Sequence, residues 1–299
     1  MIETASIFRI PVAKVTESEA VERIVALAKM RHPTTQPPAY AETSTFAKAT
    51  VDKSAGKPNH TTTQPPNHQT TKPPNHSAAL VATLNVDFVV NAVGGWPFGG
   101  NDELWGYLKN ADLVTADGMP IVLLSKLLRD PLPERVTGAD MVPAICRRCA
   151  EEGLGVYVLG GDKAVVEEAF EKFRLANGEL RIAGIDPAFV KLDEEQPEIV
   201  ERINAAKPDV LFVALGNPKQ ELWMGRNAAK LDAGVMIGIG GTFNFITGRV
   251  KRAPRWVQRS GLEWVHRICQ EPGRLWRRYA YGLVKFSWLS LLALFGRYK

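Results

Sequence analysis

From Leu80 onward the chain alternates short apolar runs with amphipathic segments, and this rhythm constrains the fold more than any other feature. Runs near 80–84, 112–116, 155–159, 181–185, 209–215 and 235–239 read as strands. Helical spacing fills the gaps, as from Ala164 to Phe173 and from Ile199 to Ala206. Apolar runs with no polar alternation suit strands covered on both faces. Strand–helix alternation over this length predicts an α/β fold, a Rossmann-like, mostly parallel sheet flanked by helices. Ligands of such sheets bind at the carboxyl ends of the strands. Ahead of this region, residues 7–30 read as a short strand and then a helix. Thr16-Glu17-Ser18-Glu19 forms a capping box, and Ala20, Ile24, Leu27 and Ala28 follow at helical spacing.

Between these two parts, residues 31–77 change character. Gln-Pro-Pro, Lys-Pro-Asn-His and Lys-Pro-Pro-Asn-His recur among threonines, with too little apolar surface to offset the entropy of ordering. The stretch reads as a disordered low-complexity insertion. It holds four of the five histidines, His32, His60, His68 and His76, which a solvated linker explains better than a metal site.

Charge divides the chain again. The net charge of +5 conceals a tail from Arg249 to Lys299 with 12 Lys/Arg against two acids, Glu263 and Glu271, a net +10; the first 248 residues carry 25 basic against 30 acidic groups. The tail also has Trp256, Trp264, Trp276 and Trp288. Basic and aromatic residues together suit phosphate groups, nucleic acid or an anionic membrane surface. The apolar run from Phe286 to Phe295 is shorter than the roughly 20 residues needed to span a bilayer. A helix lying in the membrane interface is the expected form, and the alternative is a helix packed on the body or on another subunit. The organisation expected is therefore an α/β catalytic domain from 1–30 and 78–248, the insertion at 31–77, and a basic membrane-associating appendage at 249–299. The start Met1-Ile2-Glu3-Thr4 has no secretory signal, and three cysteines make no disulfide framework, so a reducing, cytoplasmic setting is expected.

Three strands run into glycine turns: Gly160-Gly161-Asp162, Gly216-Asn217-Pro218-Lys219-Gln220 and Gly240-Gly241-Thr242. Glycine lets a backbone turn tightly beside a phosphate, and a following helix offers free N–H donors. One such turn is an ordinary β-to-α connection, whereas three in succession favour a nucleotide-type ligand. There is no Gly-x-Gly-x-x-Gly fingerprint and no Walker sequence, which weakens a nucleotide-dependent oxidoreductase. A nucleic-acid-binding module using the tail is a further alternative, and it would leave the glycine turns without a purpose. Asp117 follows a strand and precedes Gly118-Met119-Pro120. On the residues alone a helix cap is the preferred reading, but a carboxylate at a strand's carboxyl edge is also where a general base would stand. No Asp-x-Asp pair is available to hold a divalent metal on a diphosphate, so arginines of the tail are the expected counter-charge. Cys146-Arg147-Arg148-Cys149 has CxxC spacing but no second pair, and it reads as helix interior.

Six ordered phrases carry a resemblance: Thr83-Leu84-Asn85; Ala111-Asp112-Leu113 running to Asp117-Gly118-Met119; Glu134-Arg135-Val136-Thr137-Gly138-Ala139-Asp140; Gly216-Asn217-Pro218-Lys219-Gln220-Glu221; Gly240-Gly241-Thr242-Phe243; and Arg252-Ala253-Pro254 with Gly261-Leu262-Glu263-Trp264. Together they resemble the WecG/TagA/CpsF family of bacterial glycosyltransferases over nearly everything but 31–77. The resemblance implies inverting, metal-independent transfer of N-acetylmannosamine or a related sugar from UDP onto a sugar carried by undecaprenyl diphosphate, in surface polysaccharide synthesis. It implies no cofactor, and it puts the enzyme on the inner face of the cell membrane. It implies Asp117 as base and Thr83, Asn85, Arg135 and Gln220 as substrate contacts beside the glycine-turn residues Gly160, Gly161, Asp162, Gly216, Asn217, Gly240 and Gly241. Arg267, Arg274 and Arg277 are the implied diphosphate ligands. Expected partners are the UDP-sugar, the polyprenyl-linked acceptor and an anionic membrane surface, with room for a homo-oligomer and no nucleic acid. Pro120 departs from the family's usual glycine, and Gly94 to Gly100 read looser than the helix expected after Thr83-Leu84-Asn85.

Overall fold

The computed structural model describes residues 2–31 and 78–298; the expectation for the low-complexity insertion and its histidines lies outside them. The chain opens with an antiparallel hairpin, β1 (Thr4–Ile7) and β2 (Ile10–Ala13), where a single strand was expected. Phe8 and Arg9 turn it at φ 53° and 63°. Neither is a residue that favours this region, so the pattern gives no hint of a turn. Phe8 is held there from outside: its ring is fully buried, edge-on to Phe286 and Tyr298 of the chain's far end. Helix α1 (Glu17–Arg31) then starts on the expected capping box: the Glu19 carboxylate accepts from Thr16 N–H at 2.8 Å, and Glu19 N–H donates to Thr16 Oγ1 at 3.3 Å.

The body follows as β3 (Ala79–Leu84), α2 (Val86–Ala92), α3 (Asp102–Asn110), β4 (Leu113–Ala116), α4 (Met119–Leu127), α5 (Gly138–Glu152), β5 (Val156–Gly160), α6 (Lys163–Asn177), β6 (Ile182–Asp186), α7 (Pro197–Ala206), β7 (Val210–Ala214), α8 (Lys219–Asn227), β8 (Val235–Gly238) and α9 (Thr242–Thr247). The six strands β3 to β8 form one wholly parallel sheet in the order β4-β3-β8-β7-β5-β6. Successive strand residues point to opposite faces, and each face has its own core. Leu84, Leu159, Leu211 and Met236 join one cluster, while Val81, Val158, Phe212 and Ile237 join the other. Burial on both sides explains the unbroken apolar runs. Cys146 and Cys149 are buried free thiols on α5, as a helix interior requires, and burial pushes Cys149 up to about 12.

The C-terminal region forms α10 (Arg255–Arg259), α11 (Glu263–Gln270) and α12 (Pro272–Leu294). Among the described residues no helix is long and apolar enough to cross a membrane. α12 is fastened to the body rather than extending from it. The buried Lys285 Nζ donates to Val90 O and Gly99 O, both at 2.5 Å; Trp288 Nε1 donates to Trp96 O at 2.8 Å; and Tyr298 Oη donates to Gly94 O at 2.6 Å. Three of these bonds satisfy carbonyls of the 93–101 loop, which has no helix of its own to pair them, and the fourth reaches Val90 O of α2. The loop's two ends cross so closely that a Cβ on Gly100 would overlap Gly94, which accounts for the glycines there.

Candidate active site

A cleft of about 910 Å³ opens at the carboxyl ends of β4, β3, β8 and β7 and is covered on one side by α11 and α12. Thr83 and Asn85 follow β3, Asp117 follows β4, Gly216 and Asn217 follow β7, and Gly240 and Gly241 follow β8; all of them line the cleft with Arg135, Gln220 and Arg267. Ten of the expected site residues therefore converge across 185 residues of chain. Gly160, Gly161 and Asp162 do not line it. They follow β5, one strand further along the sheet, where Asp162 Oδ1 caps α6 by accepting from Val165 N–H at 3.1 Å. At Gly160, φ 85°, a Cβ would strike Leu215, so packing alone accounts for that glycine. Arg277 is exposed and stacks on Trp276, its Cζ 5.5 Å from the ring centre, and it does not line the cleft. The Arg274 side chain lies outside what the structure describes.

Asp117 is not a helix cap. Gly118 takes the N-cap position of α4 at φ 144°, and no side chain bonds to that turn. Pro120 occupies the first turn of the same helix, where a missing N–H costs nothing. The Asp117 carboxyl is left on the cleft wall, with its own N–H bonded to Leu84 O at 2.8 Å. Burial pushes its pKa up to about 7; Arg135 pulls it back, Glu263 and Asp140 push it further, and a hydrogen bond from Gly138 N–H opposes them. A carboxyl balanced near neutrality can accept a proton at physiological pH, which is what a general base requires.

Arginines and acids alternate beside it. Arg135 Nη1 donates to Glu263 Oε2 at 2.7 Å and Nη2 to Gln258 Oε1 at 3.0 Å, so the body's arginine meets an acid from the appendage. Arg252 forks onto Asp140, with Nη2 at 2.7 Å from Oδ2, and reaches Glu263 Oε1 at 3.9 Å. Asp140 is drawn down by the Arg252 bond and by Thr137 despite its burial. Arg278 of α12 grips Asp87 of α2 through two bonds, at 3.1 and 2.5 Å. Arg267 differs from these. Its Cζ lies 5.4 Å over the Phe245 ring, and its Nε–H is buried with no hydrogen-bond acceptor among the described residues. A buried donor without an acceptor is costly, and here it sits in the cleft wall.

Gln220 lines the cleft with its side chain engaged by the turns on either side. Its buried Oε1 accepts from Gly216 N–H at 3.1 Å and Gly240 N–H at 3.0 Å, and its Nε2 donates to Glu221 Oε1 at 2.5 Å. It ties two glycine turns together. Glu221, pushed up to about 7 by burial, accepts in turn from Asn217 Nδ2 at 3.1 Å, and Asn91 Nδ2 donates to Asn217 Oδ1 at 2.8 Å. Asn85 Oδ1 caps α2 by accepting from Phe88 N–H at 3.1 Å. Thr137, Asp140, Arg252, Gln258, Glu263 and Arg278 were not among the expected site residues. The first five stand in or beside the quoted phrases, and only folding shows that the phrase at 134–140 and those at 252–264 face each other.

Chains of similar sequence carry the same chemistry in their names. An N-acetylglucosaminyldiphosphoundecaprenol N-acetyl-beta-D-mannosaminyltransferase of Bacillus spizizenii is 34% identical over 178 residues, 60% of this chain and 68% of that protein. A protein of the same name from Bacillus subtilis is 28% identical over 200 residues, 67% of this chain and 74% of the relative. The model of the glycosyl transferase WecG/TagA/CpsF family matches residues 66–299, which takes in every strand of the parallel sheet, the whole cleft and the appendage. With the motifs, the sheet and the cleft all accounted for by that match, the chain belongs to the WecG/TagA/CpsF family of glycosyl transferases.

Proposed function

We propose that this glycosyltransferase moves N-acetylmannosamine or a closely related sugar from a UDP-sugar onto N-acetylglucosamine carried by undecaprenyl diphosphate, with inversion at the anomeric carbon. Asp117 takes the proton from the acceptor hydroxyl as that oxygen attacks. Such assistance is worth roughly 10²–10⁴-fold. UDP leaves with its charge on the β-phosphate. Arg267, with Arg135 and Arg252 in the same cleft, neutralises that charge. One observation supports this above the rest: the Asp117 carboxyl, held near pKa 7, shares a cleft with a buried guanidinium N–H that has no acceptor among the described residues. Nucleotide-dependent oxidation and nucleic-acid binding would give that pairing no work.

The proposal treats residues 1–30 and 78–248 as the catalytic body and 249–299 as an appendage that closes the cleft and docks on the inner, cytoplasmic face of the membrane. Exposed Trp256, Trp276 and Phe295 among the tail's basic residues support that docking. The deciding experiment incubates the full chain with synthetic N-acetylglucosaminyl polyprenyl diphosphate and a panel of UDP-sugars, with products identified by mass spectrometry. Transfer from UDP-N-acetylmannosamine by the native chain, abolished in Asp117→Asn, is expected. An active Asp117→Asn variant refutes the base assignment, and no product from any UDP-sugar refutes the donor class.

A further inference from the structure

The cleft becomes more apolar away from its charged end. Along α12 the lining changes from Arg278 and Tyr279 through Gly282 to Leu283, Phe286, Leu291 and Leu294, with Ser287 and Ser290 among them. At 1.5 Å per residue, Arg278 to Leu294 spans about 24 Å. The same cleft takes in Leu123 and Leu127 of α4, one turn apart on a single side of that helix. These leucines are not core: Leu127 is 65% exposed and Leu283 55%, and Leu123, Leu291 and Leu294 are each about half exposed. Two rows of half-exposed leucines in a cleft with a charged centre are too much apolar surface to leave against water.

We propose that this apolar half of the cleft is a subsite for the first isoprenoid units of the acceptor, the part of the lipid next to its diphosphate. The proposal rests on the transferase reading and adds a binding site for a portion of the substrate that does not react. An amphiphile with an anionic head and a branched hydrocarbon tail matches the wall in sequence: arginines at the head end, then leucines and phenylalanine along the tail. Both rows line one cavity, which suits a single chain lying in it better than insertion of either helix into a bilayer.

The subsite predicts that lipid length matters at residues far from the chemistry. In Leu123→Ser/Leu127→Ser, KM for a long-chain polyprenyl acceptor should rise about tenfold or more. KM for a short-chain, water-soluble acceptor diphosphate and for the UDP-sugar should hold, and so should co-sedimentation with anionic vesicles. A farnesyl diphosphate probe carrying a photoreactive group tests the site without any transfer. Its adducts are expected on α4 and on Leu283 to Leu294, and the double variant should lose them. Labelling elsewhere, or an equal change with both acceptors, overturns the subsite. Lost vesicle binding with labelling unchanged overturns it in favour of bilayer insertion. Labelling as expected, with no transfer to either acceptor by the native chain, would uphold the subsite and count against the transferase reading instead.

Discussion

Replacing Asp117 with asparagine should stabilise the protein while abolishing its activity, because the fold holds this carboxyl against its preference for charge. The group titrates at about 7 in the folded chain and near 3.9 unfolded. Between those values the folded state keeps a proton that the unfolded state has released, so stability falls as pH rises through the window. About three units at 1.36 kcal/mol each set a ceiling of about 4 kcal/mol above pH 7. Asp117 lies on a cleft wall and is partly open to solvent, which screens the penalty, and about 1–2 kcal/mol is expected. Asparagine keeps the shape and removes the charge. At about 2–4 °C per kcal/mol for a domain of this size, Asp117→Asn should melt roughly 2–8 °C above the native chain at pH 8. At pH 5 the gap should shrink to about a third, since only about one unit of the window then lies below the working pH. Differential scanning calorimetry across this range reads both values. A variant less stable than the native chain at pH 8, or a gap that does not change with pH, would refute the claim that burial dominates this site.

The same electrostatics should appear in catalysis. kcat/KM should rise with pH through about 7; Glu263→Gln should move that limb to lower pH, because Glu263 pushes Asp117 up, and Arg135→Gln should move it to higher pH. Gln220→Leu strands two N–H groups of the glycine turns; a loss of about 1–3 kcal/mol in denaturant unfolding and a raised donor KM are expected. Lys285→Met removes both bonds that pin α12 to Val90 and Gly99. Hydrogen exchange should then quicken in α12 while the central strands stay protected.

The legibility of the chain follows the range of the forces involved. All six parallel strands stand within a residue or two of their expected positions, because burial on both faces imposes a local apolar run that nothing distant can disguise. The capping box at Thr16 was equally plain, since its partners are three residues apart. The β1–β2 hairpin was hidden because its turn is fixed by Phe8 packing on residues nearly 300 positions away. The glycine turns were visible as turns, but which of them meet the cleft was not. The one at Gly160 follows β5, a strand outside the cleft, and strand order is a property of topology that no window of sequence contains.

The division of the arginines makes the same point with consequences for chemistry. Twelve basic residues in the last 51 positions suggested a cationic cover, yet two of its arginines at the cleft arrive already paired with acids of the body. Arg252 is held by Asp140, Arg278 by Asp87, and the appendage answers Arg135 with its own Glu263. Arg267 is the one cleft arginine with a buried N–H that no described group accepts. A diphosphate entering the cleft therefore gains most from Arg267 and must compete with Glu263 for Arg135, which sets the appendage's position and the charge next to Asp117 in a single exchange. Under the proposed function, a phosphate that drew Arg135 from Glu263 would take away an acid that raises Asp117 and bring a second anion near, holding the proposed base close to neutrality. Arg267→Lys should thus weaken UDP binding by about tenfold, as expected for losing a planar, charge-assisted donor, and leave the acidic limb near pH 7. Calorimetric titration with UDP and a pH profile separate the two effects. A limb displaced as far as in Glu263→Gln would mean that Arg267, rather than the Arg135–Glu263 pair, governs the base.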